Sequence, residues 1–114
     1  MKTELEITNP DLMCCPPFLE EPISSSEAEV AARVFKALSD PARVRLLSIV
    51  ASSAGQEACV CDLLPGMDLS QPTVSHHLKV LHEAGILDRE RRGSWVYYRI
   101  RPEALAAIGK AVSP

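Results

Sequence analysis

The chain has 114 residues, 46% of them apolar, and a formal net charge of −3. That length allows one domain with a modest core, and that apolar share excludes a wholly disordered protein. No apolar run approaches a membrane span and no charged-then-apolar leader opens the chain, so a cytoplasmic protein with no membrane partner is expected. The charge is unevenly placed. Residues 1 to 29 set Lys2 against Glu4, Glu6, Asp11, Glu20, Glu21, Glu27 and Glu29. Residues 71 to 101 set Lys79, Arg89, Arg91, Arg92, Arg99 and Arg101 against Glu83, Asp88 and Glu90, a local positive excess of the kind that meets phosphate. In a reducing compartment, four cysteines arranged as two close pairs point to metal binding or redox chemistry before structural disulfides.

Residues 1 to 25 read as an arm, because Pro10, Pro16, Pro17 and Pro22 interrupt any helix. Cys14 and Cys15 sit in it, and from a flexible segment both sulfurs could reach one soft ion. Residues 26 to 114 read as one domain. Ser24, Ser25 or Ser26 can cap a first helix, with Glu27 and Glu29 near its positive end and Val30, Val34, Ala37 and Leu38 facing inward. Asp40 and Pro41 are a cap and a first helical residue, opening ARVRLLSIVASS, where Val44, Leu47, Ile49 and Val50 are expected inside and Arg43 and Arg45 outside. Gly55 breaks that run, and EACVCDLL from Glu57 to Leu64 reads as a third helix.

Pro65 to Asp68 turn the chain into LSQPTVSHHLKVLHEAGI. Ser70 caps, Pro72 occupies the first turn, and Val74, Leu78 and Leu81 make one apolar stripe. Between them Gln71, Thr73, Ser75, His76, His77, Lys79 and His82 are hydrogen-bonding types with no acid until Glu83, a face suited to base edges and phosphates. Ala84 and Gly85 end the helix. Ile86–Glu90 and Trp95–Ile100 then read as a hairpin around Arg91-Arg92-Gly93-Ser94. A helix, a tight turn and a polar-faced helix followed by a hairpin give a winged helix-turn-helix, mainly α with a small β-hairpin, in the α+β class. Gln71, Thr73, Ser75, His76, His77 and Lys79 are its expected DNA contacts, with Arg91 and Arg92 at the hairpin tip. A final helix, Pro102 to Val112, has Leu105, Ile108 and Val112 on one stripe with nothing after it to cover them, which suggests a homodimer matched to paired half-sites in double-stranded DNA. No CxxC, βαβ pattern or Ser/His/Asp arrangement suggests an enzyme.

FKALSDPARVRLL, CVCDLL, LSQPTVSHHLKVLHEAGIL and RRGSWVYYRI, in that order over residues 30 to 105, resemble the ArsR/SmtB family of metal- and metalloid-sensing transcriptional repressors. The resemblance implies a homodimer, with its N- and C-terminal helices at the interface, that binds an operator and leaves it when an inducer binds. It also implies that Cys59 and Cys61 of CVC belong to a metal site. The terminal helix, EALAAIGKAV, has no His or Asp, so the family's second site, built there from those residues, is absent. Leu63 to Gly66 hold no further cysteine where the best-known arsenite sensors carry one, which leaves Cys14 and Cys15 to complete the set.

On a regular helix residues i and i+2 stand about 200° apart, so Cys59 and Cys61 are expected to share one ion only if binding bends the helix start. Arsenite or antimonite, satisfied by three sulfurs, would take Cys14, Cys15 and at least one of Cys59 and Cys61. A four-thiolate site would suit Cd(II) or Pb(II), and oxidation of the two pairs would make a thiol redox sensor instead.

Overall fold

The protein is described here by a computed structural model covering residues 17–114; Cys14, Cys15 and most of the expected arm lie outside the described residues. Helix α1 spans Ser25–Ala37 and starts at a reciprocal cap. The Ser24 hydroxyl accepts from the Glu27 amide at 3.1 Å, and the Ser24 amide donates to Glu27 Oε1 at 2.9 Å. Caps of this type are worth about 1 kcal/mol. Ala31, Val34 and Ala37 are its buried face, and Phe18 packs edge-on against Phe35. Helix α2, Pro41–Ser52, begins as expected at Asp40, whose Oδ2 accepts from the Ala42 and Arg43 amides at 2.9 and 3.2 Å.

The phase of α2 departs from expectation. Leu46 and Val50 are fully buried, Leu47 and Ile49 are half-buried, and Val44 is 50% exposed. The run VRLLSIV carries two overlapping apolar stripes, and packing against α4 and the sheet selects the Leu46–Val50 stripe. Arg43 also turns inward. Its Nε donates to the Ala37 carbonyl at 2.6 Å, where the end of α1 has no helical donors left.

A larger correction falls on the expected third helix. Glu57–Cys59 is a strand, β1, and only Val60–Leu63 is helical, as α3, before a 3₁₀ turn at Leu64–Gly66. A short apolar run has no periodicity strong enough to separate strand from helix. Long-range pairing decides it, because β1 runs antiparallel to the second hairpin strand with Glu57 opposite Arg99, Ala58 opposite Tyr98 and Cys59 opposite Tyr97.

Helix α4, Gln71–Glu83, is capped by Ser70 and buries Val74, Leu78 and Leu81 completely. It stops where Gly85 takes φ +83° and the Ile86 amide reaches back to the Leu81 carbonyl at 3.0 Å, a left-handed closure open to glycine without strain. Strands β2, Leu87–Arg92, and β3, Trp95–Ile100, pair with Arg92 opposite Trp95, so the turn is only Gly93-Ser94 and both hairpin arginines lie within a strand. The sheet order is β1-β3-β2. Helix α5, Pro102–Ala111, buries Ala104 and Ala111 and leaves Leu105 and Ile108 half-buried and Val112 exposed, so the expected Leu105/Ile108/Val112 stripe stands beside the buried one. The result is a winged helix-turn-helix: α3 and α4 across a tight turn, with β2 and β3 as the wing.

Candidate nucleic-acid interface and cysteine pair

Helix α4 is held by its apolar stripe, so its remaining faces are set by geometry. Gln71, Thr73, His76 and Lys79 are exposed and Ser75 is half-buried. The Thr73 hydroxyl is already in a 2.9 Å hydrogen bond with that of Ser70. Lys79 lies 4.0 Å from Glu83, an exposed pair that competes weakly with any other partner. His77 is placed differently from its neighbours. Its side chain is 14% exposed, its Nδ1 accepts from Arg43 Nη1 at 3.1 Å, and its Nε2 stands 3.9 Å from Asp40 Oδ2. His77 thereby joins α4 to the start of α2. Asp40 is a carboxylate whose partial burial pushes its pKa up, yet the Arg43 and Ala42 amides and the charges of His77 and Arg43 together hold it below the usual value.

The wing divides its arginines by strand alternation. Arg89 and Arg91 stand on the side that faces α4. Arg92 stands on the opposite face in a carboxylate network. Its Nη2 donates to Glu57 Oε1 and Glu90 Oε1, both at 2.8 Å, its Nη1 to Glu57 Oε2 at 3.0 Å, and its guanidinium lies 4.3 Å from the centre of the Tyr97 ring. Arg99 Nη1 joins at 3.2 Å from Glu57 and 3.4 Å from Glu90. The Arg92 hydrogen bonds hold both carboxyls below their ordinary pKa, and the two acids push Arg92 further up. Of the two hairpin arginines expected to meet DNA, Arg91 therefore faces the helix and Arg92 is bound to Glu57 and Glu90.

Cys59 is the N-cap of α3 and the last residue of β1, with extended backbone (φ −89°, ψ 163°), and is 3% exposed. Cys61 is exposed. The 200° separation expected of a helix does not apply, because only Cys61 is helical. The two are joined as a disulfide with Cα atoms 5.3 Å apart. Asp62 closes the group: its Oδ2 accepts from the Cys59 amide at 3.4 Å, its Oδ1 lies 3.9 Å from Cys61 Sγ, and both sulfurs and one carboxylate oxygen fall within 4.8 Å of one another. Two convergent sulfurs suit a soft, thiophilic centre; a third sulfur would have to come from Cys14 or Cys15, outside the described residues.

A cleft of about 590 Å³ separates the start of α4 from the wing. It is lined by the apolar side chains of Val60, Leu64, Trp95, Val96 and Tyr98 and by Cys61, Gln71, Ser75, Arg89, Arg91 and Ser94. Asp62 and Trp95 lie within the quoted motifs CVCDLL and RRGSWVYYRI with no role read for them there, and Arg89 lies outside every motif. Alternation along β2 would have paired Arg89 with Arg91 had the strand been extended to Arg92.

Residues 40–89 match the family model described as bacterial regulatory protein, arsR family. The chain is 50% identical over 70 residues to the arsenic resistance transcriptional regulator ArsR1 of Pseudomonas putida, covering 61% of this chain and 53% of that protein. It therefore spans about half the length of that relative. It is 40% identical over 80 residues to the arsenical resistance operon repressor of Escherichia coli K12, covering 70% of this chain and 67% of that one. Among solved structures it is similar to the homodimeric winged helix-turn-helix DNA-binding domain Mb0332 of Mycobacterium bovis, a possible ArsR-family regulator, with TM-score 0.63 and 26% identity over 78% of this chain and 83% of that one.

Proposed function

The chain belongs to the ArsR family of bacterial regulatory proteins, and on that premise we propose that it is a cytoplasmic repressor of an arsenical resistance operon, released from DNA when arsenite or antimonite binds its thiols. It is a regulator and not an enzyme, as are the relatives that it matches. The observation that carries the reading is the adjacency of two groups: a polar face on α4 with no acid before Glu83, and a cysteine pair at the start of α3, the short helix just upstream. Gln71, Ser75, His76 and Lys79 reach base edges and phosphates, Thr73 works beside the Ser70 cap, and Arg91 tracks the backbone. His77 keeps α4 seated on α2. Two copies meet through α1 and α5, whose Leu105, Ile108 and Val112 the monomer covers only in part.

The metalloid is ligand and signal, not a resident cofactor. Cys14, Cys15 and at least one of Cys59 and Cys61 would supply the three thiols, each losing a proton as it displaces a hydroxide from As(OH)₃, so that three S–As bonds form and three waters leave. Freeing either Cys59 or Cys61 as a ligand first requires a thiol reductant to give two electrons and two protons to their disulfide, which yields two thiols, and ligation then loads the junction of β1 and α3. To release DNA, ligation must favour the unbound form, typically by about 1–3 kcal/mol. The test is a mobility shift on reduced protein at stated salt. Arsenite should dissociate the complex with reductant present, while a Cys59→Ser/Cys61→Ser variant should bind DNA and ignore arsenite. Retention of the response in that variant overturns the site. Cd(II) or Pb(II) on four thiolates would show as the stronger inducer in the same assay.

A redox reading has one observation in its favour, the Cys59–Cys61 disulfide itself. If peroxide in place of arsenite dissociates the complex and reductant restores it, that reading replaces the metalloid one.

A further inference from the structure

The two ends of the Cys59–Cys61 disulfide are placed unequally. Cys59 is 3% exposed, whereas Cys61 is exposed. The cleft of about 590 Å³ is lined by Cys61 and not by Cys59, so a molecule entering it meets the Cys61 end of the bond. Its volume falls within the roughly 300–1,000 Å³ that takes a small organic molecule. The charged residues of the lining are Arg89 and Arg91, with no acid among them, and neither makes a hydrogen bond or ion pair to another described residue. Gln71 and Ser75 add an amide and a hydroxyl, and Val60 and Leu64 add aliphatic surface. An accessible disulfide sulfur, guanidiniums without partners and neutral hydrogen-bonding groups thus share one cleft. A small peptide-like thiol carries the matching set: a nucleophilic sulfur, carboxylates and amides.

We propose that this cleft docks a low-molecular-weight thiol bearing carboxylates, and that the docked thiol opens the Cys59–Cys61 disulfide by attack on Cys61. The thiol loses its proton to solvent and its thiolate attacks Cys61 Sγ. A new S–S bond forms there as the Cys59–Cys61 bond breaks, and Cys59 leaves as a thiolate that takes up a proton. A second molecule of the thiol, deprotonated in turn, attacks the sulfur of the first. Cys61 then leaves as a thiolate and is protonated. Two small thiols have become one disulfide, and two electrons have reduced the protein disulfide to two thiols. Access is one of the factors that decide which sulfur is attacked, and here it favours Cys61. Asp62 Oδ1, 3.9 Å from Cys61 Sγ, repels every attacking thiolate alike, so the choice among thiols falls to Arg89 and Arg91. The inference stands on the disulfide and the cleft alone. It goes beyond the repressor reading by naming the class of reductant that frees these cysteines and the end at which it acts.

The test uses the full-length Cys14→Ser/Cys15→Ser protein in its Cys59–Cys61 disulfide form. Neither DNA nor arsenite is present, so failure here leaves the repressor reading untouched. The probes are glutathione and its diethyl ester, which share the thiol and differ in the two carboxylates. Rates of opening, read by mass after acid quench and alkylation, are divided by the rates of the same thiols with hydroxyethyl disulfide, which cancels their intrinsic reactivity. Glutathione should be favoured by about tenfold, as two partly exposed ion pairs allow, and Arg89→Gln/Arg91→Gln should bring the ratio within about twofold of unity. An ester as fast as glutathione on the parent, or a preference that survives in the double variant, overturns the proposal. In the earliest quenched samples the mixed disulfide should map to Cys61, and its appearance on Cys59 refutes the assigned end.

Because the two substitutions could disturb the hairpin, a second measurement keeps both arginines. Raising salt from about 50 to 500 mM shortens the range of the attraction, and the advantage of glutathione over its ester should fall by about threefold or more. An advantage indifferent to salt also overturns the proposal.

Discussion

Replacing the wing arginines one at a time by glutamine separates the two faces of β2. Each phosphate neutralised by a cation contributes about −0.9 to the slope of log affinity against log salt. A fourfold rise in salt, from about 50 to 200 mM, then weakens binding by 4 to the power 0.9, about 3.5-fold, for every contact made. Arg89 and Arg91 have no carboxylate partner among the described residues, so Arg89→Gln and Arg91→Gln should each flatten the slope by about one unit and the double variant by about two. Arg92 lies 2.8 Å from both Glu57 and Glu90 and across the Tyr97 ring, so Arg92→Gln should leave the slope within about 0.3 of the parent and lower the melting temperature instead. The assay is fluorescence anisotropy of a labelled duplex over a salt series. An Arg92→Gln slope as flat as that of Arg91→Gln would show that the carboxylates give Arg92 up to DNA, and the sorting of arginines by strand face would be wrong.

Leu78 is fully buried under α4, so Leu78→Ala should cost about 2–5 kcal/mol in denaturant unfolding, and a loss below about 1 kcal/mol would mean that the site collapses around the deletion. Gly93 holds φ +65° at the wing turn with nothing near a built Cβ, so Gly93→Ala should destabilise by about 1–2 kcal/mol from backbone strain alone, read as faster amide exchange along the hairpin. Glu57 and Glu90 have folded pKa values below their ordinary 4.5, so their stabilisation is complete above that value and is lost as pH falls through the lower folded values. Glu57→Gln should therefore flatten the acid side of a stability–pH curve; an unchanged curve would mean that the network stays equally strong in the unfolded chain.

Where a signal is local, the sequence carries the fold. Asp40-Pro41 and Ser70 with Pro72 mark two helix starts because a cap needs only a side-chain oxygen and two or three following amides. Gly85 marks a helix end for an equally local reason. What depends on partners distant in the chain is not legible. EAC becomes a strand because Arg99, Tyr98 and Tyr97 lie opposite it, and no window around Glu57 contains that information. The same displacement moves the thiols, since a cysteine at a strand end can meet one on the next helix where two helical ones cannot. The wing arginines show a milder case: Arg91 to Ser94 read as a four-residue turn, but the pairing of Arg92 with Trp95 leaves only Gly93-Ser94 and puts Arg91 and Arg92 into β2, where alternation sends them to opposite faces. Likewise the side chain of His77 sits in a polar stretch and is drawn inward by Arg43, which lies 34 residues earlier.

Placing β3 at the centre of the sheet leaves β1 and β2 as its two open margins. The outer margin of β1 is three residues long and is cut off at once by α3. That of β2 reads Leu87, Asp88, Arg89, Glu90, Arg91, Arg92, charged at every position after the first. A stray extended chain would find too few backbone groups on one side and a row of hydrated charges on the other, so neither margin recruits a further strand. The arrangement that supplies arginines to a cleft thus also guards the sheet against edge-to-edge aggregation.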